Sequence, residues 1–397
     1  MNHDYFDEAM SYENLRLALR RVCRNVRWKD SVVGYEKNAA RNTWLLRKEI
    51  LSGTYKISAY QHFVVHEPKT REITATRIRD RQVQMALCTG GLYEDITEHF
   101  IYDNCACQIG KGTLFALKRL KHHLVRYCAE HGPNGWVLKV DVKQFFPSTP
   151  HGTAKKAIEK RVSDKRAQQM VFDVIDSFGG DHGIGLGSQI SQLVELAVLD
   201  DIDHYIKEKL MVKHYVRYMD DLILIHPSKE YLRHCKDEIE RMLNDIGLSI
   251  NEKTVIYPLK QGVKFLKWRF VVTKSGRILV KMDKRKPSKQ RRKLKRLIEK
   301  EISGELPGGT SEQSLKSWLS NAKNGDTFFQ RKSMIEFYYR EKRCIMANIE
   351  QRLLKLEQDA FLARQAAEEN AASIFYNEMM GNLESPVDED DEEEGDE

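Results

Sequence analysis

The stretch that decides the fold is HYVRYMDDLILIH, residues 214–226. Two short apolar runs flank the adjacent acids Asp220 and Asp221, and this pattern predicts a β-hairpin with both carboxylates at its turn. A pair of acids in so apolar a setting is costly to desolvate unless cations pair with it. The segment therefore indicates a hairpin that holds two carboxylates for a positively charged ligand.

A second acid ends a strand earlier in the chain. In VLKVDVKQFF, residues 137–146, an apolar run leads into Asp141. If this strand neighbours the hairpin, Asp141 converges on Asp220 and Asp221, and hard oxygen ligands of this kind suit Mg²⁺. Two such ions about 3.5 to 4 Å apart would clamp an in-line displacement at phosphorus. A lone Asp at a strand end is more often a turn or cap residue, so the order of the motifs carries the argument.

The composition predicts a folded protein without a membrane span. The chain has 397 residues, of which 41% are hydrophobic and 31% charged, so its length suggests two or three compact units with real cores. No apolar run of about 18 residues is present, and the N-terminal segment lacks the apolar core of a secretory signal. The seven cysteines are scattered without a CxxC pair, which argues against a disulfide framework or a structural zinc site and favours a cytoplasmic protein.

The charge is distributed unevenly. The formal net charge is +7, although the last ten residues hold nine acids and no base, so a strongly basic body carries an acidic tail. Eleven Lys and Arg residues lie between Lys281 and Lys300, in a segment with an apolar stripe at helical spacing. We expect a helix that docks one face and presents the other to a phosphate backbone. The alternatives are a solvated charged helix and a helix face that the acidic tail covers in the free protein.

Hydrophobic periodicity predicts strands interleaved with helices, followed by a helical end. Helical patterns are expected over residues 1–52, 113–129, 152–177, 188–209 and most of 288–375. Alternating patterns indicate strands near 60–75, 136–142 and 263–280 in addition to the hairpin. This order predicts an α+β fold with an all-helical appendage.

The ordered motifs resemble those of reverse transcriptases over roughly residues 55–335. Asp141 with Phe145-Phe146 resembles the first catalytic motif of that family, and Tyr218-Met219-Asp220-Asp221 resembles its YxDD hairpin. Three further motifs are similar: the turn at 247–254 that ends in Lys-Thr, the primer-grip hairpin at 265–268, and the fingers pattern of Arg71, Arg79, Asp80, Arg81 and Gln84. The family usually has Gly at the position of Lys267.

The resemblance implies an α+β fold of the right-hand polymerase type, with fingers and palm made of an antiparallel sheet plus helices, and a helical thumb. The implied divisions are an N-terminal helical extension (1–54), fingers (55–135), a palm (136–280) with a fingers insertion at about 152–187, a thumb (281–345), a C-terminal helix (346–383) and an acidic disordered tail (384–397). The C-terminal helix would pack on the thumb or bind a partner.

The resemblance also implies roles for the acids. Asp141 and Asp220 would bind two Mg²⁺ ions, or Mn²⁺ in their place, with help from the carbonyl of Val142. Asp221 would be a weaker ligand or lie just behind the ions. Lys253 would approach the triphosphate and protonate the leaving pyrophosphate, with an exposed helix-end lysine as the alternative.

Other residues would hold substrates. Arg71 and Arg79 would grip the incoming triphosphate, since the planar guanidinium fork binds phosphate oxygens in pairs. Phe146 would clash with a 2′-hydroxyl and so select deoxynucleotides, unless it is simply core. Gly187 would let backbone approach the nascent base pair, and Gln192 would lie beside the nucleotide. The template–primer would be bound by Tyr218, Phe265, Lys267, Trp268, Lys284, Arg285, Lys289, Arg292 and Arg296.

The segment 183–192 indicates the branch of the family. Most members read QGxxxSP there, whereas this chain has Leu186 and Gln192 in place of Gln and Pro. This form resembles the reverse transcriptases of diversity-generating retroelements, which implies error-prone cDNA synthesis at template adenines from a structured RNA, and a small basic helical accessory oligomer as partner. The alternatives are an anti-phage defence enzyme, template-independent or protein-primed, and a catalytically idle RNA-binding scaffold.

Overall fold

The computed structural model describes residues 4–66, 70–283 and 285–381. These residues form two compact units, Met1–Lys281 and Met282–Glu397. The division lies one residue from the predicted boundary between palm and thumb. Within the described residues, helices are combined with antiparallel sheets, which confirms the predicted α+β class. No helix in the described part of the chain is both long and apolar enough to cross a membrane.

The first unit begins with four helices, as the N-terminal periodicity predicts. They are α1 (Phe6–Ala9), α2 (Tyr12–Cys23), α3 (Asp30–Lys37) and α4 (Ala39–Leu51). Helix α2 begins at Ser11, whose side chain accepts a hydrogen bond from the Asn14 backbone N–H and so caps the helix. Its apolar stripe, which includes Leu15, Ala18 and Leu19, is buried.

A hairpin and three helices follow. They are β1 (Gln61–Val65), β2 (Arg71–Ala75), α5 (Ile78–Leu87), α6 (Tyr93–Thr97) and α7 (Thr113–His131). Strands β1 and β2 pair antiparallel, with Gln61 opposite Ala75. A wide turn at Cys88–Leu92 joins α5 to α6, and Gly91 adopts a φ of 153° there, against the ring of Tyr5.

A four-stranded sheet carries the predicted acids. Its strands are β3 (Trp136–Asp141), β4 (His214–Tyr218), β5 (Asp221–His226) and β6 (Val255–Pro258), in the spatial order β4-β5-β3-β6. Strand β3 lies between β5 and β6 and pairs antiparallel with both. Strands β3, β4 and β5 have no exposed residue, and most of their side chains are buried, so they form the centre of the unit.

Six α-helices lie along the chain between β3 and β6, and of these α13 packs against β3 and β5: α8 (Phe145–Ser148), α9 (His151–Glu159), α10 (Lys165–Asp176), α11 (Gln189–Val198), α12 (Asp200–His204) and α13 (Lys229–Asp245). The segment 152–177 is mostly helical, as predicted, and the chain breaks between α9 and α10. Asp164 stands at the break, where its side chain accepts hydrogen bonds from the Arg166 and Ala167 N–H groups and starts α10.

A smaller sheet completes the first unit. Its strands are β7 (Val263–Phe265), β8 (Trp268–Val272) and β9 (Ile278–Met282), and β7 pairs antiparallel with β8. Leu266 and Lys267 form the turn, with φ of 47° and 69°. Two consecutive residues with positive φ give the tight turn that suits a two-residue hairpin.

The second unit is helical, as predicted. It contains α14 (Arg285–Ile302), α15 (Thr310–Ala322) and α16 (Phe328–Gly381). Buried side chains from all three helices form its core: Leu294, Ile298, Leu315, Met334 and Tyr338. Helix α16 has 54 residues, so the boundary expected at 345/346 lies inside one continuous helix. The acidic tail at 384–397 lies outside the described residues.

Candidate active site

The sheet brings the three predicted aspartates to one edge. Asp141, the last residue of β3, is the register partner of Asp221, the first residue of β5. Asp220 lies in the turn between β4 and β5, which Tyr218 and Asp221 close as a pair. The backbone N–H of Val142 points to the carbonyl oxygen of Asp220 at 3.4 Å. Asp141 therefore meets Asp220 and Asp221, although these lie 79 and 80 positions later in the chain.

The turn has a non-glycine residue in a left-handed conformation. Met219 has a φ of 54°, a conformation that costs an L-residue about 1 to 2 kcal/mol. The guanidinium of Arg217 offsets this cost, since its Nη1 donates to the carbonyl oxygen of Met219 at 3.2 Å. The conformation of the turn is thus set from within the core.

Arg217 itself is held by a buried acid. Asp203, on α12, accepts hydrogen bonds from Arg217 Nε and Nη2 at 2.8 and 2.6 Å, and both side chains are fully buried. The hydroxyl of Tyr215 also donates to Asp203 at 2.5 Å. A buried charge pair with these extra partners fixes geometry, because removing one partner would leave an uncompensated charge.

Burial and mutual repulsion make the carboxylates hard to ionise. Desolvation, followed by the charges of Asp220 and Asp141, raises the pKa of Asp221 to about 6, although Lys139 counteracts this. Burial and the charge of Asp141 also raise the pKa of Asp220, while Arg71 and Lys139 lower it. These shifts identify a cluster of acids in which a positive charge is in short supply.

Lys139 supplies one positive charge from the same strand face. Its Nζ lies 2.8 Å from Oδ1 of Asp221, and it also donates to the Lys264 carbonyl oxygen at 3.4 Å. It therefore connects the aspartates to strand β7. Among the carboxylates of the described residues, Lys139 contacts that of Asp221, so Asp141 and Asp220 keep oxygen atoms for other ligands.

The donor set fits divalent cations that prefer oxygen. Three carboxylates at one sheet edge, two of which have pKa values raised by burial and by neighbouring acids, are the arrangement that Mg²⁺ satisfies through a few carboxylates plus substrate phosphates. Val142, whose carbonyl was also predicted as a ligand, is buried beside Asp141 and faces Ile250 in a single antiparallel bridge.

The backbone of Asp141 is anchored by the turn that carries Lys253. The N–H of Asn251 donates to the Asp141 carbonyl oxygen at 2.7 Å, and the Asp141 N–H points to the hydroxyl of Thr254 at 3.3 Å. Lys253 is exposed on this turn, where its backbone N–H donates to the Asn251 side chain. The predicted general acid therefore sits on a segment that is hydrogen-bonded to the first aspartate.

The two predicted triphosphate-binding arginines differ in their surroundings. Arg71 is exposed at the start of β2, and its charge is close enough to lower the pKa of Asp220. Arg79 is half-buried, donates to Glu49 and to the Lys56 carbonyl oxygen, and stacks on the ring of Tyr55. Arg79 is thus tied to the N-terminal helices in this structure.

The predicted nucleotide pocket is bordered by β2 and the loop at 183–188. The N–H of Thr74 donates to the Leu186 carbonyl oxygen at 3.0 Å. Gly187 has a φ of 127°, and a Cβ there would lie 2.9 Å from the Thr74 carbonyl oxygen. Glycine is required at this position because backbone approaches backbone. Phe146 is half-buried, next to the buried ring of Phe145.

Gln192 lines a cavity beside the β4–β5 turn, which contains Met219 and Asp220. The cavity has a volume of about 440 Å³, and its lining includes Arg21, Cys107, Gln189 and Gln192. The Sγ of Cys107 lies 3.8 Å from the Sδ of Met219, so the cavity wall contacts the turn. Leu186, by contrast, is held through its backbone.

The predicted nucleic-acid contacts lie on several elements. Tyr218 is half-buried, with its hydroxyl 3.4 Å from that of Thr113. Phe265 and Trp268 are buried at 1% and 4% exposure, and Lys267 lies in the left-handed turn between them. On α14, the predicted contacts Arg285, Lys289, Arg292 and Arg296 are exposed, opposite the buried Leu294 and Ile298. Lys284 lies outside the described residues.

The sequence did not reveal the groups that support the aspartates. Besides Lys139, Asp203 and Arg217, these include Glu195 of α11, which is fully buried and accepts a hydrogen bond from Thr149 at 3.0 Å. Burial, and to a smaller extent the charge of Asp220, raises the pKa of Glu195 to about 8. The sequence signal that could have indicated these groups is a charged residue inside an apolar run, such as Glu195 in QLVELAV and Arg217 in HYVRY.

A second group of possible metal ligands lies elsewhere in the first unit. Glu130, His131 and His214 each offer a ligand atom, all within 4.8 Å of one another. Burial lowers the pKa of His214 to about 4, so its ring is neutral near pH 7. This group contains nitrogen donors and differs in chemistry from the aspartate site.

Comparison with known proteins gives one family. The model of the family described as "Reverse transcriptase (RNA-dependent DNA polymerase)" matches residues 65–270, which include all three aspartates. Protein YkfC of Escherichia coli is 24% identical over 282 residues, an alignment that covers 58% of this chain and 71% of YkfC. The putative COX1/OXI3 intron 2 protein of Saccharomyces cerevisiae is 23% identical over 303 residues, covering 57% of this chain and 34% of the yeast protein.

Solved structures give distant similarities. Apo telomerase from Candida tropicalis, truncated from the C-terminal domain, has a TM-score of 0.44 at 14% identity, with 56% of this chain and 55% of that chain covered. Telomerase from Candida albicans in complex with a fragment of telomeric RNA has a TM-score of 0.46 at 12% identity, with 82% and 61% covered. The chain thus spans little more than half the length of these telomerases.

Proposed function

The chain belongs to the reverse transcriptase family, and from that membership we propose that it is an RNA-directed DNA polymerase whose active site is the Asp141–Asp220–Asp221 cluster. The observation that carries the proposal is the register of the sheet, which places Asp141 opposite Asp221 and next to the Asp220 turn. The substrates would be a template RNA with its primer, and deoxynucleoside triphosphates.

Each residue of the site has a part in the proposed mechanism. Asp141 and Asp220 would hold two divalent ions, Mg²⁺ or Mn²⁺, which supply the charge that activates the primer hydroxyl and neutralises the pyrophosphate. Asp221 stays close behind them, paired with Lys139. Arg71 approaches the triphosphate from β2, and the ring of Phe146 would exclude a 2′-hydroxyl. Lys253, on the anchored turn, would give a proton to the departing pyrophosphate.

Single-nucleotide incorporation on an RNA template tests this proposal. Asp141→Asn and Asp220→Asn remove charges at the site without changing side-chain size. Mutation of a group that only hydrogen-bonds to a metal ligand lowers activity by up to about 100-fold. Each of these two substitutions should lower the rate by more than that. Asp237→Asn, at an exposed position on α13, is the matched control and should leave the rate unchanged. Equal rates in all three variants would contradict the proposed site.

We further propose that the enzyme is error-prone at template adenines, as in diversity-generating retroelements. Leu186 cannot hydrogen-bond a base or sugar as Gln would, and its backbone is fixed to Thr74 beside Gly187. Gln192 brings a backbone N–H that proline lacks. Sequencing products copied from RNA templates gives the error spectrum. Error rates at adenine no higher than at the other bases would remove this proposal.

The same assay separates the alternatives. Incorporation that persists when the template is omitted would favour a template-independent or protein-primed defence enzyme. No incorporation under any condition, combined with RNA binding, would favour an idle scaffold. A small basic accessory protein and a cytoplasmic location stay predictions, and nucleic acid that copurifies with the protein would identify the template.

A further inference from the structure

Helix α16 continues far beyond the core of the second unit. Its first part packs through Met334 and Tyr338, and Ile345 is the last residue that contacts this core. From residue 350 to residue 377, every side chain is exposed. In proteins, packing of an apolar face supplies most helical stability, and this exposed part of α16 has no such packing within the described residues.

This exposed part repeats apolar residues with a seven-residue period. Positions a and d of the repeat are Met346, Ile349, Leu353, Leu356, Ala360, Ala363, Ala367, Asn370 and Ile374. Eight of these nine are apolar, over a helical length of about 42 Å. Within it, Met346, Leu353, Leu356 and Ile374 are 45%, 54%, 63% and 53% exposed. Such a stripe, repeated over about four heptads, is typical of a coiled-coil seam.

The charged residues that flank the stripe complement a second copy of it. Arg352 and Asp359 occupy g positions, and Glu357 and Arg364 occupy e positions. In a parallel pair, each g residue faces the e residue of the next heptad in the other helix. Arg352 then faces Glu357 of the second copy, and Asp359 faces Arg364, so both pairs are attractive.

In the parallel orientation, more of these charged residues face an opposite charge than in the antiparallel orientation. In an antiparallel pair that aligns the same heptads, Glu357 still faces Arg364, but Arg352 and Asp359 face Ser373 and Ala366. In the parallel pair the polar Asn370, at a d position, faces the same residue of the second copy, so the two amides lie next to each other in the seam.

We propose that residues 346–374 form a parallel two-stranded coiled coil with a second copy of this chain. The occupant of the apolar stripe is thus the same stripe of another molecule. The three alanine layers bring the two helices close together, and the larger side chains on either side of them supply most of the buried apolar area. This proposal is independent of the polymerase activity.

Two adjacent leucines give a matched test in the full-length chain. Leu353 lies in the seam, and Leu354 lies on the outer face at nearly equal exposure, 54% against 59%. We expect the wild type to sediment as a dimer at about 10 μM, a concentration at which a micromolar association is largely formed. Leu353→Lys should give monomers, since it would place two ammonium groups face to face. Leu354→Lys should remain dimeric. A monomeric wild type, or two variants that behave alike, would overturn the proposal.

A charge exchange tests the orientation. Arg352→Glu and Glu357→Arg each place like charges opposite one another in a parallel pair, and each should weaken the dimer. The double variant restores both attractions and should recover the dimer fraction of the wild type. In the antiparallel pair, Glu357→Arg would instead face Arg364, and adding Arg352→Glu could not repair it. A double variant that stays as weak as Glu357→Arg would therefore overturn the parallel arrangement.

Discussion

At the level of single residues, the turn between β4 and β5 that carries Asp220 depends on one buried ion pair. Asp203 binds Arg217, and Arg217 donates to the carbonyl of Met219 next to Asp220. The aspartates themselves could be predicted, because each lies in a short motif that is continuous in the chain. Their supports could not, since Asp203 and Arg217 meet only through the packing of α12 against the sheet, and nothing in their local sequence pairs them.

Asp203→Ala should destabilise the first unit strongly. The substitution leaves the fully buried guanidinium of Arg217 without its carboxylate, a loss worth about 3 to 5 kcal/mol in the free energy of unfolding. Asp201→Ala is the control, because the Asp201 side chain is 57% exposed and its ion pairs should contribute no more than about 1 kcal/mol. Urea unfolding measures both, and a similar small effect for the two would refute the role of the buried pair.

Glu195→Gln should change how stability depends on pH. Burial raises the pKa of Glu195 to about 8 in the folded protein, from the 4.5 of an ordinary glutamate. Folding therefore favours its protonated form. As pH rises from about 4.5 to 8, the free energy of unfolding falls because of this group. Glutamine keeps the shape and cannot ionise. The variant should thus gain stability relative to the wild type across this window, as thermal unfolding at several pH values would show. A difference that stays constant with pH would contradict the shift.

At the level of helices and strands, sequence patterns located most elements but did not show where one helix ends and the next begins. The apolar spacing over 152–177 predicts helix, and it does not reveal the break between α9 and α10. The break arises from Asp164, which also accepts hydrogen bonds from the Tyr5 and Phe6 N–H groups, 159 and 158 positions away. A contact over such a distance leaves no trace in local periodicity.

Asp164→Ala should therefore cost more than the loss of an ordinary helix cap. Its carboxylate accepts bonds from four backbone N–H groups, which belong to α10 and to the start of α1. Ser228→Ala is the comparison, since Ser228 caps α13 through one backbone N–H. Loss of a single cap costs about 1 kcal/mol, and Asp164→Ala should exceed that value. Hydrogen exchange should also show faster exchange in α1. Equal costs for the two variants would count against the double role.

In the whole molecule, the acids of the candidate active site lie in the first unit, and the basic helix α14 lies in the second unit. Helix α14 presents Arg292 and Arg296 on its exposed face, as its sequence predicts, because a lysine- and arginine-rich segment with one apolar stripe can bury only that stripe. If both side chains contact phosphates, Arg292→Ala combined with Arg296→Ala should reduce the slope of log affinity against log salt by about 1.8. Arg233→Ala, at an exposed position on α13, is the control. An unchanged slope in the double variant would remove α14 from the nucleic-acid interface.

The proposed mechanism requires that Asp141 and Asp220 hold the divalent ions of a polymerase. Diffraction at the manganese edge, from crystals soaked with Mn²⁺, template–primer and a non-reacting deoxynucleotide, tests it directly. We predict two anomalous peaks about 3.5 to 4 Å apart, in contact with both carboxylates, and neither peak in Asp220→Asn. Manganese found at Glu130, His131 and His214, with none at the aspartates, would contradict the account.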